Sequence, residues 1–152
     1  MNWNNLSVYF NRNNTTFSDM EFVSPVTAIY GGSYSPATTV VDYKLVFDNV
    51  EMRKDAPVKQ IFGGGQDASK GTIQLNISNC VIYGNVYATG GPYNNTSLYQ
   101  HTGSVNVNMS EVSIHPFNTA NGTSDMLNPS KIHEVGGSFW GTYAKNVTGG
   151  IN

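Results

Sequence analysis

Three stretches of the chain repeat one apolar pattern without gaps. Tyr43-x-Leu45-x-Phe47-x-x-Val50-x-Met52, Ile73-x-Leu75-x-Ile77-x-x-Cys80-x-Ile82 and Val105-x-Val107-x-Met109-x-x-Val112-x-Ile114 are apolar at all fifteen template positions, and the copies are offset by 30 and then 32 residues. Three apolar residues at period two give a strand with one buried face. Two polar residues then intervene instead of one, a slip that would turn the next side chains outward if the strand ran straight. A bend at Asp48-Asn49, Ser78-Asn79 and Ser110-Glu111 lets a second short strand face the core again. Asn and Asp tolerate left-handed backbone angles and suit such a corner.

A second motif alternates with the first. It reads Ala28-Ile29-Tyr30-Gly31-Gly32-Ser33-Tyr34 and Gln60-Ile61-Phe62-Gly63-Gly64-Gly65-Gln66, with looser copies at Asn85-Val86-Tyr87-Ala88-Thr89-Gly90-Gly91 and His133-Glu134-Val135-Gly136-Gly137-Ser138-Phe139. Each is a short apolar and aromatic strand running into glycines, and the glycines are expected to supply positive φ at a tight corner. Tyr30, Phe62 and Tyr87 align and are expected to stack as a ladder. The separations are 32, 25 and 48 residues, and the last is long enough to hold an inserted loop at about 116–131.

One repeat is thus about three short strands in ~30 residues, and no repeat buries its apolar face alone, whereas stacked repeats share a continuous core. The sequence predicts an all-β protein, a parallel β-helix or β-solenoid with about three short strands per ~30-residue rung. An antiparallel sandwich also has short strands and frequent turns, but it leaves the recurrence of one bend at one offset without a cause. Residues 26–152 are read as the repeats. Residues 1–25 fall outside the template and are read as an N-terminal cap or an extra rung, with Leu6-x-Val8-x-Phe10 allowing one strand. The ending Gly149-Gly150-Ile151-Asn152 resembles the middle of a repeat, which suggests a fragment of a longer chain or an end covered by a neighbour.

Composition narrows the function classes. Charged residues are 12% of the 152, with 8 basic and 10 acidic side chains, against 16 Gly and 19 Asn. That is about half the charge expected of a soluble domain, roughly 25%, and stacked repeats favour it because like charges in register repel. So few cations argue against an electrostatic nucleic-acid binder. The chain has no apolar run near the ~18 residues needed to span a bilayer, and its start lacks the pattern of a signal peptide.

The alternation of the glycine-ended strands with TIQLNISNCVI and SVNVNMSEVSI resembles the β-helical repeats of bacterial surface proteins, including adhesin-like and autotransporter-passenger-like chains, over about residues 26–151. The resemblance implies a right-handed β-solenoid, an extracellular or cell-surface location and a role as stalk or adhesive surface, with a glycan, a host surface protein, or further repeats at the solenoid ends as partners.

No residue set points to catalysis. Glycoside hydrolysis needs two carboxyl groups at a set separation, and the outward columns Asp48/Ser78/Ser110, Asn49/Asn79/Glu111 and Glu51/Val81/Ser113 stack no two acids. Asp42 and Asp48 share a face but lie about 20 Å apart along a strand. Cys80 takes a template position held elsewhere by Val50 and Val112, and is read as a small buried apolar side chain. His101, His115 and His133 lack ligand spacing, and no metal or cofactor is expected. Asn76 and Asn108 share an outward column, where an amide ladder is the stronger reading than glycosylation of their Asn-x-Ser sequons. Binding is expected at aromatic loops, through Tyr93, Asn94 and Tyr99 in one and Trp140 and Tyr143 in another, since Tyr and Trp beside Asn can stack on sugar rings and bond hydroxyls. The expected role is a non-catalytic surface module. A polysaccharide-degrading β-helical enzyme or phage-tailspike fragment is the alternative.

Overall fold

In the computed structural model, the described residues are 6–11, 14–34, 40–66, 69–90 and 101–115. They form ten strands and no helix: β1 (Ser7–Tyr9), β2 (Thr15–Phe22), β3 (Ala28–Tyr30), β4 (Tyr43–Met52), β5 (Gln60–Phe62), β6 (Ser69–Lys70), β7 (Ile73–Tyr83), β8 (Asn85–Tyr87), β9 (His101–Thr102) and β10 (Val105–His115). The protein is all-β, and every strand pair is parallel.

The strands sort into two four-stranded sheets and a two-stranded one. One sheet runs β1-β3-β5-β8, the second β2-β4-β7-β10, and the small one pairs β6 with β9. Within each sheet the spatial order is the chain order. The register reproduces the sequence repeat: Tyr43 pairs with Ile73, Ile73 with Val105, Ile29 with Ile61 and Ile61 with Val86.

The main core holds side chains of both large sheets. Ile29, Ile61 and Val86 come from one, and Leu45, Phe47, Leu75, Ile77 and Val107 from the other. Strand alternation explains the split. In β4 and β7 every second residue is buried up to the bend, and the inward phase resumes after it at Val50 and Cys80. A smaller cluster of Ala28, Tyr30, Phe62 and Tyr87, joined by Tyr9, comes from the alternate positions of the short strands. There the rings form a continuous stack. Centroids are 4.5 Å apart for Tyr9–Tyr30, 4.5 Å for Tyr30–Phe62 and 4.6 Å for Phe62–Tyr87, with interplanar angles of 12°, 9° and 14°. Parallel register with strands ~4.8 Å apart imposes this ring spacing, and each pair adds about 0.5–1.5 kcal/mol beyond its buried area.

The bend occurs without breaking the strand. Asn49, Asn79 and Glu111 each have φ 54°, and β4, β7 and β10 run on through them as single bent strands rather than two short ones. Asp19 has φ 51°, and β2 pairs with β4 so that Phe17, Met20 and Phe22 meet Phe47, Val50 and Met52. The N-terminal region therefore carries a fourth copy of the bent strand. Its polar Thr15 stands opposite Leu45, which hid the alternation in the sequence.

The paired glycines serve another purpose than the expected one. Among the described residues, positive-φ glycines are Gly71 and Gly103, which precede β7 and β10, while the glycines after β3 and β5 stay out of that region. Their role is close stacking. A Cβ on Gly32 would lie 2.5 Å from the backbone N of Gly65, and one on Gly65 would lie 2.5 Å from the carbonyl oxygen of Ser33. Backbone runs directly over backbone here, and no side chain fits between.

Candidate functional site

The bend places four residues in one column, Asp19, Asn49, Asn79 and Glu111, all with left-handed backbone. Two residues further along each strand, a second outward column begins with Glu21 and Glu51, which are register partners, followed by Val81 and Ser113. The sequence reading found no stacked acids because it left β2 out of the alignment. With β2 in register, Glu21 and Glu51 stand on neighbouring strands, ~4.8 Å apart in the hydrogen-bonding direction. The signal that could have found the pair was Phe17-x-x-Met20-x-Phe22, with the polar Ser18-Asp19 before Met20.

Between the two columns lies an open hollow of about 360 Å³ on the outward face of the sheet. Asp19, Glu21, Asn49, Glu51 and Asn79 supply its polar lining. Met20, Val50 and Val81 supply the apolar part, and Val81 is 38% exposed. Two residues past Val81 on the same face, Tyr83 stacks on His115 with centroids 4.4 Å apart and planes at 16°.

The polar groups are held in rows. Asn49 Nδ2 donates to Asp19 Oδ1 at 2.7 Å, Asn79 Nδ2 to Asp48 Oδ1 at 3.2 Å, and Ser78 Oγ to the same Asp48 oxygen at 2.7 Å. The bond from Ser78 first, and then that from Asn79, hold the Asp48 carboxyl below its ordinary range, because both favour the charged form. Arg53 Nη1 donates to Glu21 Oε1 at 2.8 Å, and the guanidinium also forks onto Asp55. Its bond to Asp55 first, then that to Glu21, raise the Arg53 pKa, and Arg53 in turn lowers that of Asp55. Glu51 has no ion pair or hydrogen bond among the described residues.

Other sequence-stated candidates fall into three groups. Tyr93, Asn94, Tyr99, Trp140 and Tyr143 lie outside the described residues, as does His133. Asn108 Nδ2 donates to Asn76 Oδ1 at 3.0 Å, the expected amide ladder. Cys80 is 2% exposed, its Sγ donates to the Ser78 carbonyl at 2.9 Å, and burial pushes the thiol pKa up. Such a thiol is a core group, not a nucleophile. Among the described residues no group of three or more His, Cys, Asp or Glu is placed to hold a metal ion, and no helix is long and apolar enough to cross a membrane.

Fold and hollow together define an all-β protein of in-register parallel sheets with a polar, carboxylate-bearing hollow on the bend of one of them. The chain matches no family model, no curated protein and no solved structure.

Proposed function

We propose that this chain is a right-handed parallel β-helix that serves as a non-catalytic module of a bacterial surface or adhesin-like protein, displaying its lateral surface and aromatic loops to glycans or a protein partner outside the cell. The observation that carries the reading is the coincidence of pairing register with sequence repeat. Strands 30 and 32 residues apart lie side by side in parallel over one shared core, which is how repeats that cannot fold singly acquire stability. On this reading residues 1–25 add an N-terminal rung and residues 26–152 supply the remaining repeats. The repeat builds a surface of polar columns at strand spacing, and Tyr93, Asn94, Tyr99, Trp140 and Tyr143, outside the described residues, are the proposed aromatic contacts.

A binding screen of the full chain against immobilised glycans and host-cell surfaces tests this role. Retention on at least one glycan or surface class, without release of sugar ends, is the expected result. No retention anywhere would leave only a spacer.

Glu21 and Glu51 support a second reading, a polysaccharide-acting enzyme, since carboxyl groups on adjacent strands approach the ~5–5.5 Å separation of retaining glycosidases. The pairing of Glu21 with Arg53 favours binding over this chemistry, because it occupies one member of the pair. Release of reducing or unsaturated ends, abolished by Glu51→Gln, would reverse that preference.

A further inference from the structure

The hollow on the bend has a chemical selectivity that follows from which groups face it. Each of its two amides spends one N–H inside a row: Asn49 Nδ2 on Asp19, and Asn79 Nδ2 on Asp48. Each keeps a second N–H and its acceptor oxygen. Glu51 adds a carboxylate with no partner among the described residues, and the guanidinium of Arg53 is taken by Glu21 and Asp55. The lining therefore offers amide donors and acceptors together with negative charge. These groups recur at the strand spacing of ~4.8 Å, beside the apolar surface of Val81 and the stacked pair Tyr83 and His115.

A ligand that fits must supply groups that both donate and accept at a regular repeat, carry positive charge and present apolar faces between its polar groups. A linear glycan crossing the strands meets the first and third demands, since every ring carries hydroxyls on its edge and C–H groups on its face. Positive charge narrows the class to amine-bearing sugars. We infer that the hollow lined by Asn49, Glu51, Asn79 and Val81 is a binding site for a glycan bearing free amino groups, lying across β2, β4 and β7. This inference rests on the surface-module reading and names the site and ligand class for it. A polyanionic glycan is excluded by the carboxylates. A lysine-rich peptide shares the charge but not the hydroxyls, each of which can pair with either the N–H or the oxygen of an amide.

The test is titration calorimetry on the full chain with a β-1,4-linked glucosamine hexamer, its N-acetylated counterpart, polygalacturonate and oligolysine. The glucosamine hexamer is expected to bind, with the acetylated form about tenfold weaker, as loss of one charge-assisted contact implies. Polygalacturonate is expected not to bind. Glu51→Gln and Val81→Lys, both on the exposed face, should each weaken the hexamer about tenfold with unchanged melting. Unchanged affinity in Glu51→Gln and Val81→Lys would overturn the site, as would equal binding of polygalacturonate, or oligolysine binding as tightly as the hexamer. If the chain binds other glycans but not the amine-bearing one, the ligand class falls and the surface-module reading stands. If it binds none of the probes and retains nothing in the wider screen, that reading falls as well.

Discussion

Asn49 donates its Nδ2 to Asp19 Oδ1 across the β2–β4 pair, and both residues hold left-handed backbone, with φ 54° and 51°. The contact joins two adjacent strands at the residues that make the bend. Two polar residues between apolar positions are what the repeat requires, but the second of them must also accept positive φ. Asn and Asp do so at three of the four bends, and Glu111 does so in β10.

Replacing Asn79 by Val is expected to destabilise the protein by about 1–2 kcal/mol, the cost of forcing a branched side chain into the left-handed region. Asn79→Gly should fall close to wild type, since Gly adopts this backbone without steric cost. Urea unfolding of the two variants checks the claim. Equal losses in both would mean that the Asn79 side-chain bond to Asp48, rather than backbone geometry, governs this position.

Ile77 lies in the middle of the inward row, 1% exposed, between Phe47 and Met109. Ile77→Lys buries an unpaired charge, which costs several kcal/mol against a total stability of roughly 5–15 kcal/mol. The variant is expected to be unfolded by circular dichroism at room temperature. Ile77→Val should cost only about 0.5–1.5 kcal/mol. A folded lysine variant with native melting would show that the row does not face the core.

The bent strands were legible in the sequence because periodicity at three copies is a strong signal. The apolar phase at Tyr43, Leu45 and Phe47 and its resumption at Val50 follow from side chains alternating across a strand. The stack of Tyr30, Phe62 and Tyr87 was legible for the same reason, since parallel register places equivalent residues one above another. Tyr9, at the end of that stack, was not, because Ser7-Val8-Tyr9 carries no glycines to mark its motif. The Glu21–Glu51 pair was hidden by one polar residue, Thr15. The role of the glycines was misassigned because sequence shows that a side chain is missing but not whether dihedral freedom or space is what its absence supplies.

That distinction gives a prediction at Gly63. An added Cβ would land against the carbonyl oxygen of Ala88 and 2.9 Å from Ile73 Cγ2, and its φ is not in the positive region. Gly63→Ala should therefore destabilise by about 1–3 kcal/mol, through overpacking. Crowding grows with side-chain size, so Gly63→Ser should lose more than Gly63→Ala, whereas a dihedral cause would penalise both alike. Equal losses in the two would show that crowding is not what excludes a side chain here.

Asp48 links the fold to pH. Its folded-state pKa is depressed, chiefly by the Ser78 hydroxyl and then by Asn79, so it contributes stability that is complete above the unfolded Asp value of about 3.9. That contribution is lost as pH falls through the lower folded value. Wild type should therefore melt above Asp48→Asn near neutral pH, and the gap between them should close as pH drops below about 4. Because the group is only half-buried, solvent screens the effect and the gap should be modest. A gap that stayed constant from pH 7 to pH 2 would mean that the carboxylate's charge contributes nothing, and that Asn fails at this position for reasons of packing or hydrogen-bond direction.

Cys80 supplies a probe of the whole bent row. Its thiol is buried beneath the bend and its pKa is raised by desolvation, so thiolate is scarce and reagent access is blocked at once. Alkylation by iodoacetamide at pH 8 is expected to be slow in the native protein and to accelerate in denaturant in parallel with loss of strand signal. Cys80→Val should melt within about 1.5 kcal/mol of wild type, because the substitution nearly conserves volume and valine already fills the equivalent places at Val50 and Val112. The alkylation rate of Asn79→Val then reports on the bend itself. If left-handed backbone at Asn79 is what turns Cys80 inward, that variant should label faster than wild type under native conditions, by a factor that matches its loss of stability. Faster labelling without a matching loss would point to a local opening at the bend.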